Sequence, residues 1–383
     1  MTAAPRTSRK RRGGASTWYN NPMHLGHRTF LFWQKYEHHF GVGALLLGFV
    51  FDLWIADRPD SVANNLLLLA YLFVAGAFII IINLRERRRK DDAEPFFLLL
   101  VLQFCFGGLA SNLLVLYGHS GTLAGSAVFI AALVLVVFGN EYFRSRYSLL
   151  RFNIGVYYFL LLTYAMVAVP VYITHSVGVG TMLLSGVISL IFFGIFLYIL
   201  FLAVFRGTDT NKLREVSLII AGIFLAFNAL YFLNVIPPVP LAMRELGIYH
   251  SVLRHSDGTY IAIYEPAFWY QFWRDTSAAY VLNGSRSAFC FSSVFAPADL
   301  EAPIYHKWEY KNPQTGEWET RSRISFPISG GRDEGYRGFS VKTALVPGEW
   351  RCNVETAGGA LIGRIGFTAV ESSSGSTLSQ KTL

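Results

Sequence analysis

Long apolar segments fill residues 39–236 and limit what this chain can fold into. A helix needs about 20 apolar residues to cross the roughly 30 Å hydrocarbon core of a bilayer. The composition agrees with a membrane protein, because 53% of the residues are hydrophobic and only 15% are charged, which is too apolar for a typical soluble protein. The sequence predicts an all-α membrane bundle of seven transmembrane helices, at 39–56, 62–84, 95–117, 122–142, 153–174, 180–205 and 215–236.

The basic residues alternate between the two sides of this predicted bundle. The tail at 1–38 and the connections at 85–90, 144–151 and 206–214 carry 7, 5, 3 and 3 Lys or Arg, whereas the intervening connections carry only Arg58. Lys and Arg beside apolar helices stay on the cytoplasmic side. We therefore predict a cytoplasmic N-terminus, with residues 1–38 as a basic tail and interfacial segment, and a C-terminus on the opposite side. This placement accounts for the net charge of +8 without a nucleic-acid partner.

Few polar residues lie deep within the predicted helices. Gln103 and Asn112 lie deepest, close to small residues that allow helices to approach, and we interpret them as packing contacts between helices. Pro170 and the turn at Gly178 and Gly180 resemble the broken helix of a transporter, but no matching interruption or internal repeat accompanies them. A transporter is therefore kept as an alternative function.

The character of the chain changes at the proline-rich run 237–240, which cannot continue a helix. Beyond it, polar and apolar residues alternate with the period of a β-strand. We predict a proline-rich linker and aromatic segment at 237–286, an antiparallel β-sandwich at 287–371 and a disordered tail at 372–383. The predicted strands are 259–264, 287–295, 304–310, 317–328, 336–343, 348–355 and 360–370.

Two of the three cysteines fall in this C-terminal region, on the side of a membrane where disulfides persist. The strand pattern leaves their pairing open. Cys352 shares a strand face with Trp350, which we expect in the core, whereas Cys290 lies on the opposite face from Phe289 and Phe291, which also look buried.

Several motifs resemble the C-terminal module of a bacterial family described as a domain of unknown function. They are Ile304–Trp308, Tyr336–Lys342, Pro347–Arg351 and Gly359–Gly363 with Phe367. Members often carry this module after a multi-pass membrane region. The resemblance covers about 287–370 and implies a Gram-negative inner-membrane protein with a periplasmic β domain, but it implies no activity. Cys352 stands where an aliphatic residue is common in the family.

Catalytic and metal-binding patterns are sparse in the C-terminal region. His306 follows no nucleophile motif, and no Cys/His spacing typical of a metal site occurs, so we expect no catalytic residue, metal or cofactor. Aromatic and basic side chains near the turns suit sugar rings and anionic groups. The predicted ligand-binding residues are Trp308, Tyr336, Arg337, Arg332 and His306.

These observations predict a non-enzymatic envelope protein in contact with the lipid bilayer. Its periplasmic sandwich would bind a glycan, a lipid headgroup or a partner protein. Besides a transporter, the alternative is a membrane enzyme acting on lipid-linked or glycan substrates, for which Asp52, His119 and His175 are the nearest polar candidates.

The predicted topology is testable with reporter fusions. Alkaline phosphatase, which is active only outside the cytoplasm, should be active when fused after Leu383 and inactive when fused within 85–90, because the basic connection stays inside. The reverse pattern of activity would contradict the orientation.

Overall fold

Helices and strands are separated along the chain, with helices in the N-terminal half and strands in the C-terminal region. The structure is a computed structural model, and every residue that it describes lies in one compact unit that begins at Leu45. The described residues are 50, 59–88, 96–120, 123–142, 150–205, 210–267, 269–271, 274–282, 286–297, 300–329, 335–371 and 377–383.

Six long helices occupy the described part of the N-terminal half. Five of them are long and apolar enough to cross a membrane, whereas seven spans were predicted, six of them almost entirely within the described residues. The predicted span 39–56 lies outside the described residues except for Val50, and the helix at 123–142 contributes a shorter apolar stretch, Ser126–Val136. The helices are α1 (Val62–Arg88), α2 (Phe96–His119), α3 (Leu123–Tyr142), α4 (Leu150–Val169), α5 (Val179–Leu200) and α6 (Thr210–Phe232).

The five apolar helices differ in how much of their surface other parts of the protein cover. The most apolar windows of α2 and α4 are 67% and 72% buried, whereas those of α5 and α6 are only 28% and 17% buried. Large apolar side chains such as Phe192, Tyr198 and Leu225 are exposed on the outer helices. An apolar surface of this extent in contact with water would be unfavourable.

A pair of amides joins α1 to α2 inside the bundle. Nδ2 of Asn112 donates to Oδ1 of Asn64 at 2.7 Å, Nδ2 of Asn64 donates to Oδ1 of Asn112 at 3.2 Å, and both residues are fully buried. Burying these amides without hydrogen bonds would cost roughly several kcal/mol of free energy in an apolar interior. The reciprocal pair avoids this cost. The interpretation of Asn112 as a packing residue is confirmed.

Helix α4 does not break at its proline. Pro170 begins a π-helical turn, Pro170–Thr174, that continues the helix, and the apolar segment runs without interruption from Leu150 to Thr174. A wider turn accommodates the proline ring and the missing N–H. His175 then takes a left-handed conformation, with φ of 48°, and ends the helix.

The described part of the C-terminal region contains eleven strands. All seven predicted strands are confirmed, with ends within three residues of the predicted ones. The strands are β1 (Ala242–Tyr249), β2 (Ser251–Arg254), β3 (Tyr260–Tyr264), β4 (Ala279–Val281), β5 (Ala288–Phe295), β6 (Glu301–Lys311), β7 (Trp318–Ser329), β8 (Tyr336–Lys342), β9 (Gly348–Thr356), β10 (Leu361–Val370) and β11 (Ser379–Thr382).

Three sheets form from these strands. A five-stranded sheet has the order β4-β10-β9-β6-β7, and two three-stranded sheets have the orders β1-β5-β8 and β11-β3-β2. Nearly all neighbours are antiparallel, as predicted, but β4 runs parallel to β10. The five-stranded sheet is therefore mixed.

Two predicted segment types are corrected. The segment 237–286, predicted as a linker with an aromatic segment, contains four strands, of which only β3 matches a predicted strand; β1 and β4 pair with β5 and β10, which come later in the chain. The segment 372–383, predicted as a disordered tail, contains β11, which pairs with β3. There Nζ of Lys381 contacts carboxylates of Glu245 and Asp275 at 2.7 and 2.8 Å, and Leu383 is buried.

A disulfide joins two of the sheets across their shared core. Cys290 on β5 is bonded to Cys352 on β9, and both pack against Trp308 in a cluster that includes residues of both sheets. Strand β5 is buried on its other face as well, where Phe291 packs against Tyr249 of β1 and residues of the third sheet. The sequence left the pairing open because the parity argument assumed that only one face of β5 is buried.

Replacing both cysteines of this disulfide with serine should lower the free energy of unfolding by roughly 2 to 5 kcal/mol, because the bond restricts the unfolded chain. Thermal unfolding under non-reducing conditions would measure the loss. Cys105→Ala is the matched control, since Cys105 is a free buried cysteine in α2. Finding Cys290 and Cys352 freely alkylated without reductant would contradict the bond.

Candidate functional site

The β region is attached to the helix ends by backbone pairing. Ser176, in the connection between α4 and α5, forms an isolated parallel bridge with Glu301 at the start of β6. The N–H of Glu301 donates to the carbonyl of His175 at 3.2 Å. Val177 then packs against the core between the sheets. The connection between two helices thus belongs partly to the β region.

The proline-rich run strengthens the same junction from the other side. Ile236 and Val239 pack into the helical core, whereas Leu241, two residues later, packs into the β core. All three are at most 7% exposed. Apolar anchors on both sides of the prolines, whose backbone is stiff, fix the β region on the helices.

A cavity of about 290 Å³ lies at this junction. Its wall is formed by the ends of α2, α4 and α6, the start of α5, the run at 236–239, the beginning of β6 and the β9–β10 turn. The volume is near the lower end of the roughly 300 to 1,000 Å³ typical of small-molecule sites. Both halves of the chain are needed to enclose it.

The cavity wall is mainly apolar, and most of its hydroxyl groups bond within the protein. The hydroxyl of Thr181 lies 3.2 Å from that of Thr174 and 3.0 Å from that of Ser176. Ser185 donates to the carbonyl of Thr181 at 2.8 Å, and Tyr117 donates to a backbone carbonyl of α4 at 2.9 Å. Tyr231 and Asn234 also line the cavity, but a highly hydroxylated ligand needs more polar partners than these two, so the wall suits an apolar ligand.

The residues predicted to bind a ligand are not gathered at this cavity. Trp308 and His306 are fully buried between the sheets, in agreement with the ordinary role of a strand aromatic in a core. Tyr336 and Arg337 lie half-buried on β8, paired with β5, and Arg332 lies outside the described residues. Ligand binding by these five residues stays a prediction.

His306 is held between two serines in the core. Its Nε2 lies 2.7 Å from the hydroxyl of Ser292 and its Nδ1 lies 2.9 Å from that of Ser340, which also accepts from Nε1 of Trp308 at 2.9 Å. Burial lowers the pKa of His306 to about 3, so the ring is neutral at pH 7. A His–Ser pair of this kind has no path to substrate, because both partners are buried.

The same histidine lies next to the disulfide. Side-chain ligand atoms of Cys290, His306 and Cys352 all lie within 4.8 Å of one another. Thiolate is the form of cysteine that binds metals, and here the two sulfur atoms are bonded to each other. In this oxidation state the group is a structural crosslink.

Sequence reasoning missed the cavity because its wall comes from segments far apart in the chain. Two local signals mark it. The prolines at 237–240 mark the point where the helices end, and the run Ala357-Gly-Gly-Ala360 leaves little side-chain bulk in the β9–β10 turn.

Among the polar candidates for an enzyme, His175 is exposed at the junction, His119 ends α2 and Asp52 lies outside the described residues.

Comparison with known proteins identifies one part of the β region. Residues 301–369 match the family described as "Protein of unknown function (DUF2914)", which confirms the predicted resemblance to a C-terminal domain of unknown function over β6 to β10. No curated protein matches the chain. Among solved structures, the chain is similar to the alkylpurine DNA glycosylase AlkC of Pseudomonas fluorescens bound to DNA containing an abasic site analog, with 11% identity over 82% of this chain and 99% of that chain. The TM-score is 0.19, which is too low to carry an argument.

His306 should make the stability of the β region depend on pH. The unfolded chain takes up a proton near pH 6.5, whereas the folded ring does so only near pH 3, so stability is lost as the pH falls through this window. Between pH 7 and pH 5 we expect a loss of about 2 kcal/mol from this residue. Denaturant unfolding at both pH values would measure it, and an equal loss in His306→Gln, which cannot titrate there, would contradict the assignment.

Proposed function

We propose that this protein is a multi-pass protein of the bacterial inner membrane that binds a lipid in the cavity between its helices and its β region. In this proposal the N-terminus is cytoplasmic, and the β region is a periplasmic sandwich packed on the outer helix ends. Of the ligands predicted for the periplasmic part, a glycan, a lipid or a protein, the cavity favours the lipid.

The uncovered apolar surfaces support insertion in a membrane. Helices α5 and α6 have apolar windows that are mostly uncovered by protein, and hydrocarbon is the solvent in which such surfaces are stable. Arg151 and Arg214, at the starts of α4 and α6, lie at the opposite ends of these helices from the residues that line the cavity. By the positive-inside rule, the cavity would then lie at the outer face of the membrane, where lipid is accessible.

The cavity wall supports an apolar ligand over a sugar. Sugar recognition relies on several convergent hydrogen-bonding groups in a site, whereas the hydroxyls of Ser185 and Tyr117 already donate to backbone carbonyls. An acyl or isoprenyl chain needs only apolar contacts. The single observation that carries the proposal is this largely apolar cavity, closed jointly by helix ends and strands.

Filling the cavity should strongly reduce lipid retention. Ser185 lines the cavity and is fully buried, so the ring in Ser185→Phe should occupy the space that an acyl chain needs. Native mass spectrometry of the full chain in detergent, after addition of phosphatidylglycerol or phosphatidylethanolamine, should detect one retained lipid in the wild type and at least about tenfold less in the variant, since such a loss corresponds to only about 1.4 kcal/mol.

The matched control is Gly180→Phe. Gly180 is on the same helix, does not line the cavity and has no atom within 4 Å of the position of an added Cβ, so this variant should retain lipid. Equal lipid retention in the wild type and Ser185→Phe, or no retained lipid in any of the three proteins, would contradict the proposal.

A further inference from the structure

A group of charged side chains covers the face of the five-stranded sheet that points away from the core. Strand register places them side by side, since Lys307 lies opposite both Arg323 and Asn353, and Asn353 lies opposite Arg364. None of these side chains lines the junction cavity, so the group is a separate feature. We call it the outer cluster, and its members are Lys307 and Glu309 on β6, Arg323 on β7, Arg351, Asn353 and Glu355 on β9, and Arg364 on β10.

Hydrogen bonds fix the orientation of two guanidinium groups in the outer cluster. Oε2 of Glu309 accepts from Nε of Arg351 at 2.5 Å and from Nδ2 of Asn353 at 2.7 Å. Oδ1 of Asn353 accepts in turn from Nε of Arg364 at 2.7 Å. Lys307 pairs with the other oxygen of Glu309 at 2.9 Å. Each arginine is thus held through its Nε.

The terminal nitrogens of these two arginines remain available. Among the residues that the structure describes, Arg351 and Arg364 donate through Nε to Glu309 and Asn353, and no hydrogen bond from an Nη atom of either arginine is formed. The guanidinium of Arg351 lies 4.1 Å from the centre of the Trp318 ring. Across the strand from Arg351 stands Gly366, where an added Cβ would meet no atom closer than 3.8 Å. Arg364 is exposed and the side chain of Arg351 is 18% exposed, so a small anion can reach this side of the sheet.

The outer cluster has an excess of positive charge. Four cationic side chains surround two carboxylates, Glu309 and Glu355, and Arg323 pairs with Glu355 at 2.8 Å. Burial by itself would raise the pKa of Glu309, but its hydrogen bonds from Arg351, Lys307 and Asn353 lower that pKa overall, so it stays ionised. Burial, and then the charge of Arg351, lower the pKa of Arg364. Two neighbouring cations with unused donors are best satisfied by a bound anion.

We propose that the outer cluster binds a phosphoryl group through the Nη atoms of Arg351 and Arg364, with Glu309 and Asn353 as positioning residues. Guanidinium groups match the oxygens of a phosphate with paired hydrogen bonds. The excess of two positive charges suits a phosphoryl group, which carries about 1.5 to 2 negative charges at pH 7, better than a carboxylate, which carries one. The phosphoryl group comes from free phosphate or from a lipid headgroup, and the two sources share this chemistry.

Binding to the full chain in an uncharged detergent tests the proposal. The probes are inorganic phosphate and dihexanoyl phosphatidic acid, with dihexanoylglycerol as the lipid lacking phosphate, measured by isothermal titration calorimetry at low ionic strength. Arg364→Gln should weaken phosphate binding about tenfold to a hundredfold, because it removes charge-assisted hydrogen bonds. Gly366→Asp should weaken it similarly by placing a carboxylate opposite Arg351.

Arg321→Gln is the matched control. Arg321 lies on the same sheet and pairs with Glu319 at 2.8 Å, outside the outer cluster. Its replacement changes the net charge by the same amount as Arg364→Gln. The Arg321→Gln variant should bind phosphate within about twofold of the wild type, since remote surface charges contribute little.

Each outcome has a defined meaning for the outer cluster. Binding of both phosphate and phosphatidic acid supports the proposed phosphoryl site. Binding of phosphatidic acid alone also supports it, and would show that the phosphoryl group belongs to a lipid headgroup. The proposal is overturned if neither probe binds, if dihexanoylglycerol binds as well as phosphatidic acid, or if Arg321→Gln and Arg364→Gln weaken binding equally. Loss of phosphatidic acid binding in Ser185→Phe but not in Arg364→Gln would assign the lipid to the cavity and also overturn it.

Discussion

The pairing of Ser176 with Glu301 is the contact on which the arrangement of the two halves depends. It makes a helix connection part of the β region, and the apolar anchors Ile236 and Leu241 secure the other side of the junction. Prolines between those anchors limit the freedom of the connecting backbone. With two attachments instead of one, the β9–β10 turn stays over the helix ends and the cavity has a defined shape.

Within the β region, stability depends on burying both faces of β5. One face meets the five-stranded sheet, where Cys290 is bonded to Cys352, and the other is covered by the sheet that β11 completes. His306 fits this interior only as a neutral ring, because a charged imidazolium would lack solvation there. Its hydrogen bonds to Ser292 and Ser340 tie the two sheets together.

The cavity and the outer cluster provide two different chemical environments on one chain. The cavity is mainly apolar and lies where helices meet strands, whereas the outer cluster combines fixed guanidinium groups with open space beside Gly366. Apolar contacts add affinity in proportion to area, while oriented charged donors add specificity. A protein with both can recognise the chain of an amphiphile at one place and a phosphoryl group at another.

The sequence by itself determined the elements whose signals are local. The length of the apolar run predicted a helix at 62–84, and α1 is found at Val62–Arg88. Alternation predicted a strand at 336–343, and β8 is found at Tyr336–Lys342. Both signals are local, because the pattern of a helix or strand is visible within a short stretch of sequence. Only the tertiary structure decided the Cys290–Cys352 bond, since strand parity does not reveal that a strand is covered on both faces. The cavity and the outer cluster also depend on packing and register between distant segments, which no local pattern contains.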